Sequence, residues 1–121
     1  MIKPARTSAL LLFLAPLPGT AADWAQVSAI LSDRCTMCHI GPHAPLGLQL
    51  DSHEGVMTGS ENGPVVLPGA VETSPLYHRI TGQAQPQMPL DGPPFLEEAQ
   101  IATITGWIAA GAPGPDTPEP D

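Results

Sequence analysis

Five consecutive residues, Cys35-Thr36-Met37-Cys38-His39, carry the clearest chemistry in this 121-residue chain. Two thiols two residues apart can each form a thioether to one vinyl group of a porphyrin. A histidine directly after the second thiol brings its ring under the porphyrin plane, where it can ligate iron. This C-x-x-C-H order is the attachment signature of a c-type haem. It predicts one covalently attached haem c per chain, with Cys35 and Cys38 as the thioether residues and His39 as the proximal iron ligand. Three other readings of paired cysteines fit less well. A thioredoxin-like pair needs a βαβ pattern, and none is visible. A zinc site needs four ligands, and only His39 and His43 lie near the thiols. A local disulfide is the third alternative.

Iron held by one histidine has a second face, which a methionine, another histidine, water or nothing could fill. Met88 is the favoured candidate. Pro89 follows it and pushes its backbone out of the helical region, and Pro86 stiffens the other side. Such a loop can aim a thioether, although methionine is also a common core filler. Met37 lies inside the attachment loop, and Met57 falls on a short predicted helix. His43 is too close to the motif to reach the opposite face. His53 and His78 are most simply solvated.

Several elements must position these groups. Asp23–Ser32 reads as a helix, with Val27, Ile30 and Leu31 on one apolar face. Asp23 suits its N-terminus. Val27, Leu31 and Cys35 fall at intervals of four, so the helix delivers the motif. Ile40–Leu50 reads as loop, and one of its carbonyls is expected to accept the His39 ring proton. Leu46, Leu48 and Leu50 are candidates for the wall of a haem pocket. Asp51 and Ser52 both read as helix caps, and Asp51-x-x-Glu54 resembles a capping box, for a short helix from His53 to about Thr58, ended by Gly59. Glu61–Gly69 reads as loop or short extended chain. Thr73 or Ser74 would cap another short helix with Pro75 in its first turn and with Leu76 and Ile80 inward. Gly82–Pro94 is a proline-rich loop. Glu97–Ala110 is the second long helix, with Ile101, Ile104, Trp107 and Ile108 as its stripe and Gly111 as its stop.

The ends of the chain read differently. Lys3 and Arg6, the apolar run Ala9–Ala15, and Thr20-Ala21-Ala22 together resemble a secretory signal over residues 1–22. The apolar run is far short of the about 20 residues a membrane span needs. An exported protein, periplasmic or extracellular, is therefore expected, which agrees with haem attachment on the exported side. Residues 114–121 alternate proline with acids and read as a disordered tail. After residue 22, only Arg34 and Arg79 stand against twelve acids, a formal charge of −10. Such a surface excludes nucleic acid and anionic lipid as natural partners. It suits a basic docking face on a redox protein, or it serves solubility alone. The same region holds four large aromatics, Trp24, Tyr77, Phe95 and Trp107. That core is thin, and a covalent haem would fill it out.

In these features the chain resembles class I cytochrome c, and within it the planctomycete-type cytochrome c domain. The resemblance runs from Trp24 to Pro113. It rests on Cys35-Thr36-Met37-Cys38-His39, the run Gly47–Gly55, Val66-Leu67-Pro68-Gly69, Ser74-Pro75-Leu76, Met88-Pro89 and the run Trp107–Pro113. It implies an all-α fold with the N- and C-terminal helices crossed around one haem, so that Val27 and Leu31 face Trp107. It also implies Met88 as the distal ligand. One departure is Leu96, where relatives often place Ser or Thr at the start of the last helix. The chain thus divides into a signal segment (1–22), a monohaem domain (23–113) and a tail (114–121). The expected function is single-electron carriage without enzymatic turnover. The alternatives are an open-site haem protein that binds peroxide or a gas, with His53 or His78 as distal group, and a fixed relay subunit of a larger complex.

Overall fold

The computed structural model describes residues 22–115. The expected signal segment, apart from Ala22, and residues 116–121 of the expected tail lie outside the described residues. Among those described there are four α-helices and no strand: α1 (Trp24–Arg34), α2 (His53–Thr58), α3 (Pro75–Ile80) and α4 (Glu98–Ala109). A 3-10 turn, Pro45–Gly47, interrupts the loop after α1. The fold is a small all-α one.

The two long helices form where the apolar period demands them. Asp23 caps α1: its carboxylate accepts the Gln26 N–H at 2.9 Å, and the Gln26 side chain accepts the Asp23 N–H in return. The helix runs two residues beyond the expected Ser32 and reaches Arg34. At α4 the cap is Glu97 rather than Leu96. The Gln100 side chain accepts the Glu97 N–H at 2.9 Å, and Leu96 is buried just ahead of it. The missing Ser or Thr is therefore replaced by a Glu–Gln pair one residue later.

α1 and α4 pack against each other. Val27 and Leu31 of α1 and Ile104, Trp107 and Ile108 of α4 are almost wholly buried in one cluster. Leu50, Val56, Val66, Leu76 and Ile80 join it from the middle of the chain. That segment is short of regular structure and is held by single backbone bonds. The Gly69 N–H donates to Ile108 O of α4 at 2.7 Å, and the Leu76 N–H donates to Val65 O at 2.9 Å.

Of the two residues expected to cap α2, Asp51 and Ser52, it is Ser52 that does so; its hydroxyl accepts the Gly55 N–H at 2.9 Å. Ser74 precedes α3 but does not cap it with its side chain. Fully buried, its hydroxyl donates to Ala70 O at 2.8 Å and accepts the Leu67 N–H at 2.9 Å. Gly59 ends α2 with φ of +83°, and a Cβ there would lie 2.5 Å from Gly63 O. Only glycine satisfies both conditions.

Candidate haem site

The motif is the direct continuation of α1. The Cys35 N–H donates to Leu31 O at 2.8 Å, one turn back along the Val27–Leu31 face. The chain then turns on itself, with the His39 N–H on Cys35 O at 3.0 Å. The Thr36 hydroxyl donates to Ser32 O at 3.1 Å and pins the turn to the helix. Cys35 is partly buried and Cys38 is exposed; both are free thiols.

Burial pushes the Cys35 thiol up to about 11; Arg34 pulls it down and Asp91 adds to the rise. A redox-active C-x-x-C pair has the opposite property, a thiol depressed toward or below neutrality. Cys35 is instead a neutral thiol beside the apolar core. Among the described residues, no group of three or more His, Cys, Asp or Glu side chains comes together. A zinc site would require four such ligands around the thiols.

The loop after the motif orients His39. Its Nδ1 lies 3.0 Å from Leu48 O. A carbonyl only accepts, so Nδ1 carries the proton and Nε2 keeps the lone pair that a metal needs. Two further bonds fix this bracket: the Leu50 N–H donates to His39 O at 2.9 Å, and Gln49 Nε2 donates to Gly41 O at 3.0 Å. The carbonyl expected from the sequence is thus that of Leu48. Of the three leucines proposed for a pocket wall, Leu50 belongs to the core, Leu48 packs partly against it and Leu46 is 54% exposed.

Met88 is half-buried in the irregular loop between α3 and α4. Its N–H donates to Arg79 O at 3.0 Å. Arg34, the residue before Cys35, donates to Pro94 O at the far end of the same loop, at 2.6 Å. The ends of the motif and of the Met88 loop are therefore joined directly.

Among the described residues four large apolar side chains stand exposed: Met37, Ile40, Leu46 and Leu90. The first three belong to the motif or the loop that follows it, and Leu90 lies two residues after Met88. Apolar surface left open on these segments matches what a porphyrin would cover. The donor set fits as well: two free thiols, a histidine with a free Nε2, and a thioether on a tethered loop.

The other candidate ligands stand in different surroundings. Met37 is 84% exposed, and Met57 packs partly against the core. His43 is exposed. His53, expected to be solvated, is half-buried. Its Nε2 lies 2.9 Å from Ala112 O, and its ring stands edge-on to Trp24 and Trp107 with centroids 5.3 and 6.0 Å away. Gly114, which the sequence assigns to the tail, also meets this ring: a Cβ there would lie 3.1 Å from His53 Nδ1. His78, also read as solvated, is half-buried and pairs with Glu72 O at 2.6 Å. No signal in a six-residue helix reveals the His53 contacts, because its partners sit at both ends of the chain.

The planctomycete cytochrome C family model matches residues 35–92. No curated protein and no solved structure matches the chain. The matched segment runs from the first thiol past Met88 to Gly92, whereas α1 and the run Trp107–Pro113, which the resemblance in the sequence also spans, lie outside it. Motif, His39 bracket and family match agree, and the chain carries a planctomycete-type cytochrome c domain, that of a c-type cytochrome.

Proposed function

We propose that this chain is an exported monohaem cytochrome c that carries single electrons between protein partners, with His39 and Met88 as axial ligands. The observation that carries the reading is the His39 bracket. Leu48 O holds the ring proton on Nδ1, which leaves Nε2 as the ligating atom at the end of the helix that presents both thiols. Cys35 and Cys38 would hold the haem, and a covalently bound haem supplies a one-electron couple. The chain's own part is to keep both ligands in place so that little moves when the charge changes. Met88 suits the distal role because its loop is tied to α3 through Arg79 O and to the end of α1 through Arg34. The wide commitment of His53 and His78 to backbone carbonyls favours a carrier over an enzyme with a distal acid or base.

The test is the absorption spectrum of the isolated protein in both oxidation states. The expected result is a low-spin spectrum, with a sulfur-to-iron charge-transfer band when oxidised and slow carbon monoxide binding when reduced. A high-spin spectrum with rapid carbon monoxide binding would replace the carrier by an open-site haem protein.

The N-terminal signal pattern supports the export part of this reading, as does the fact that cytochromes c are typically exported. Among the described residues no helix is long and apolar enough to cross a membrane. The partner class follows from charge. All nine acidic residues described are exposed, while Arg34 and Arg79 are half-buried. The surface is therefore anionic, and a partner with a basic docking face fits it. Electron transfer to such a partner is expected to slow steeply as ionic strength rises from about 0.01 to 0.15 M, because the screening length falls from roughly 30 to 8 Å. A rate independent of salt would point to docking through apolar surface instead.

A further inference from the structure

Arg34 and Arg79 are the only Lys or Arg residues among those described. In a chain so rich in carboxylates, surface ion pairs are the ordinary use of an arginine. Here both guanidinium groups donate to carbonyls of one loop. Arg34 Nη2 reaches Pro94 O at 2.6 Å, and Arg79 Nη1 reaches Pro86 O at 3.2 Å. Arg79 also accepts the Met88 N–H on its own carbonyl. The one ion pair among the described residues, Arg34 with Asp91, is long at 4.0 Å, and Asp91 is 67% exposed.

The loop needs outside support. Pro86, Pro89, Pro93 and Pro94 have no N–H, so few backbone bonds can hold it. A charged donor on a carbonyl is among the stronger single bonds a protein can make. The two bonds fall on opposite sides of Met88, two residues before it and six after. Arg34 also adjoins Cys35, so one bond braces the loop against the motif itself.

We propose that Arg34 and Arg79 are positioning residues that clamp the Met88 loop from both sides and so set how firmly Met88 is presented to the iron. The inference rests on Met88 as the distal ligand, and its test separates the two.

The holoprotein is compared with Arg34→Ala, Arg79→Ala, Arg34→Lys, Asp91→Asn and Ser52→Ala. Two quantities are read: the rate at which added imidazole abolishes the charge-transfer band, and the hydrogen-exchange rate of the Met88 amide. Arg34→Ala and Arg79→Ala are each expected to raise both rates by about tenfold or more, the scale of one charged hydrogen bond. Arg34→Lys, which keeps a cationic donor, recovers part of the loss. Asp91→Asn changes neither rate, because the exposed pair contributes little. Ser52→Ala removes the cap of α2 and lowers overall stability without changing either rate.

If the two alanine variants exchange no faster than Ser52→Ala at a comparable loss of stability, the clamp is wrong. If Arg34→Ala fails to take up haem, Arg79→Ala and Arg34→Lys decide by the same criterion. If the parent has no charge-transfer band, the ligand assignment has failed, and the Met88 amide alone judges the clamp: faster exchange in the variants supports it, and unchanged exchange overturns it.

Discussion

Replacing Cys35 and Cys38 together with serine is expected to give a chain that holds no haem and does not keep its native helices. A serine hydroxyl does not form the thioether that fixes the porphyrin, so the first effect is chemical and complete. The second follows from the core. Trp107 is the only aromatic residue in the buried cluster, which otherwise consists of Val, Leu, Ile and Ala. Meanwhile Met37, Ile40, Leu46 and Leu90 remain on the surface of the protein part alone. A domain of about a hundred residues is stable by a few kcal/mol to about 15 at most, and small domains with thin cores lean on a staple or cofactor. A ligand that binds only the folded chain stabilises it by mass action; a covalent one cannot dissociate. Haem-stained denaturing gels should show colour on the parent and none on the variant. Far-ultraviolet circular dichroism should show most of the helix signal lost. The intact mass of the exported parent should fit a chain that starts near Asp23 plus a single haem. Colour that migrates with the serine variant, or a native helix signal without haem, would overturn the prediction.

The features legible in the sequence share a physical basis: they depend on residues close together in the chain. α1 and α4 announce themselves through apolar residues at helical spacing, and their packing buries those same residues. The motif is legible because haem attachment fixes residue types at fixed offsets. What the sequence hid depends on distant partners. Asp51 and Ser52 both read as caps of α2, and the sequence does not say that Ser52 alone takes the Gly55 N–H. Ser74 has a cap's side chain, yet its hydroxyl serves the backbone of a neighbouring loop. His53 reads as a surface histidine until Trp24, Trp107 and Ala112 meet around it. The bonds of Arg34 and Arg79 were equally hidden, because their acceptors are carbonyls and a carbonyl has no residue signature.

Substituting Met88 by alanine is expected to turn the protein from a closed carrier into an open haem protein while leaving its fold in place. The fold should survive because Met88 is only half-buried and stands outside the buried cluster. Its loop keeps the bonds to Arg34 and Arg79, and the Met88 N–H that Arg79 O accepts belongs to the backbone, which alanine retains. Two other candidate ligands are engaged: Met57 packs partly against the core, and His78 is paired with Glu72 O. The ferric variant should therefore lack the sulfur-to-iron charge-transfer band, and its ferrous form should bind carbon monoxide far faster than the parent. The reduction potential should fall, because a thioether favours ferrous iron. A drop on the order of 0.1 V or more is modest beside the roughly 0.8 V that axial ligands can span. Met57→Ala and His78→Ala should leave band, binding and potential as they are. If Met88→Ala keeps the parent's spectrum, or Met57→Ala or His78→Ala abolishes the band, the distal ligand is another residue and the anchored loop has some other purpose.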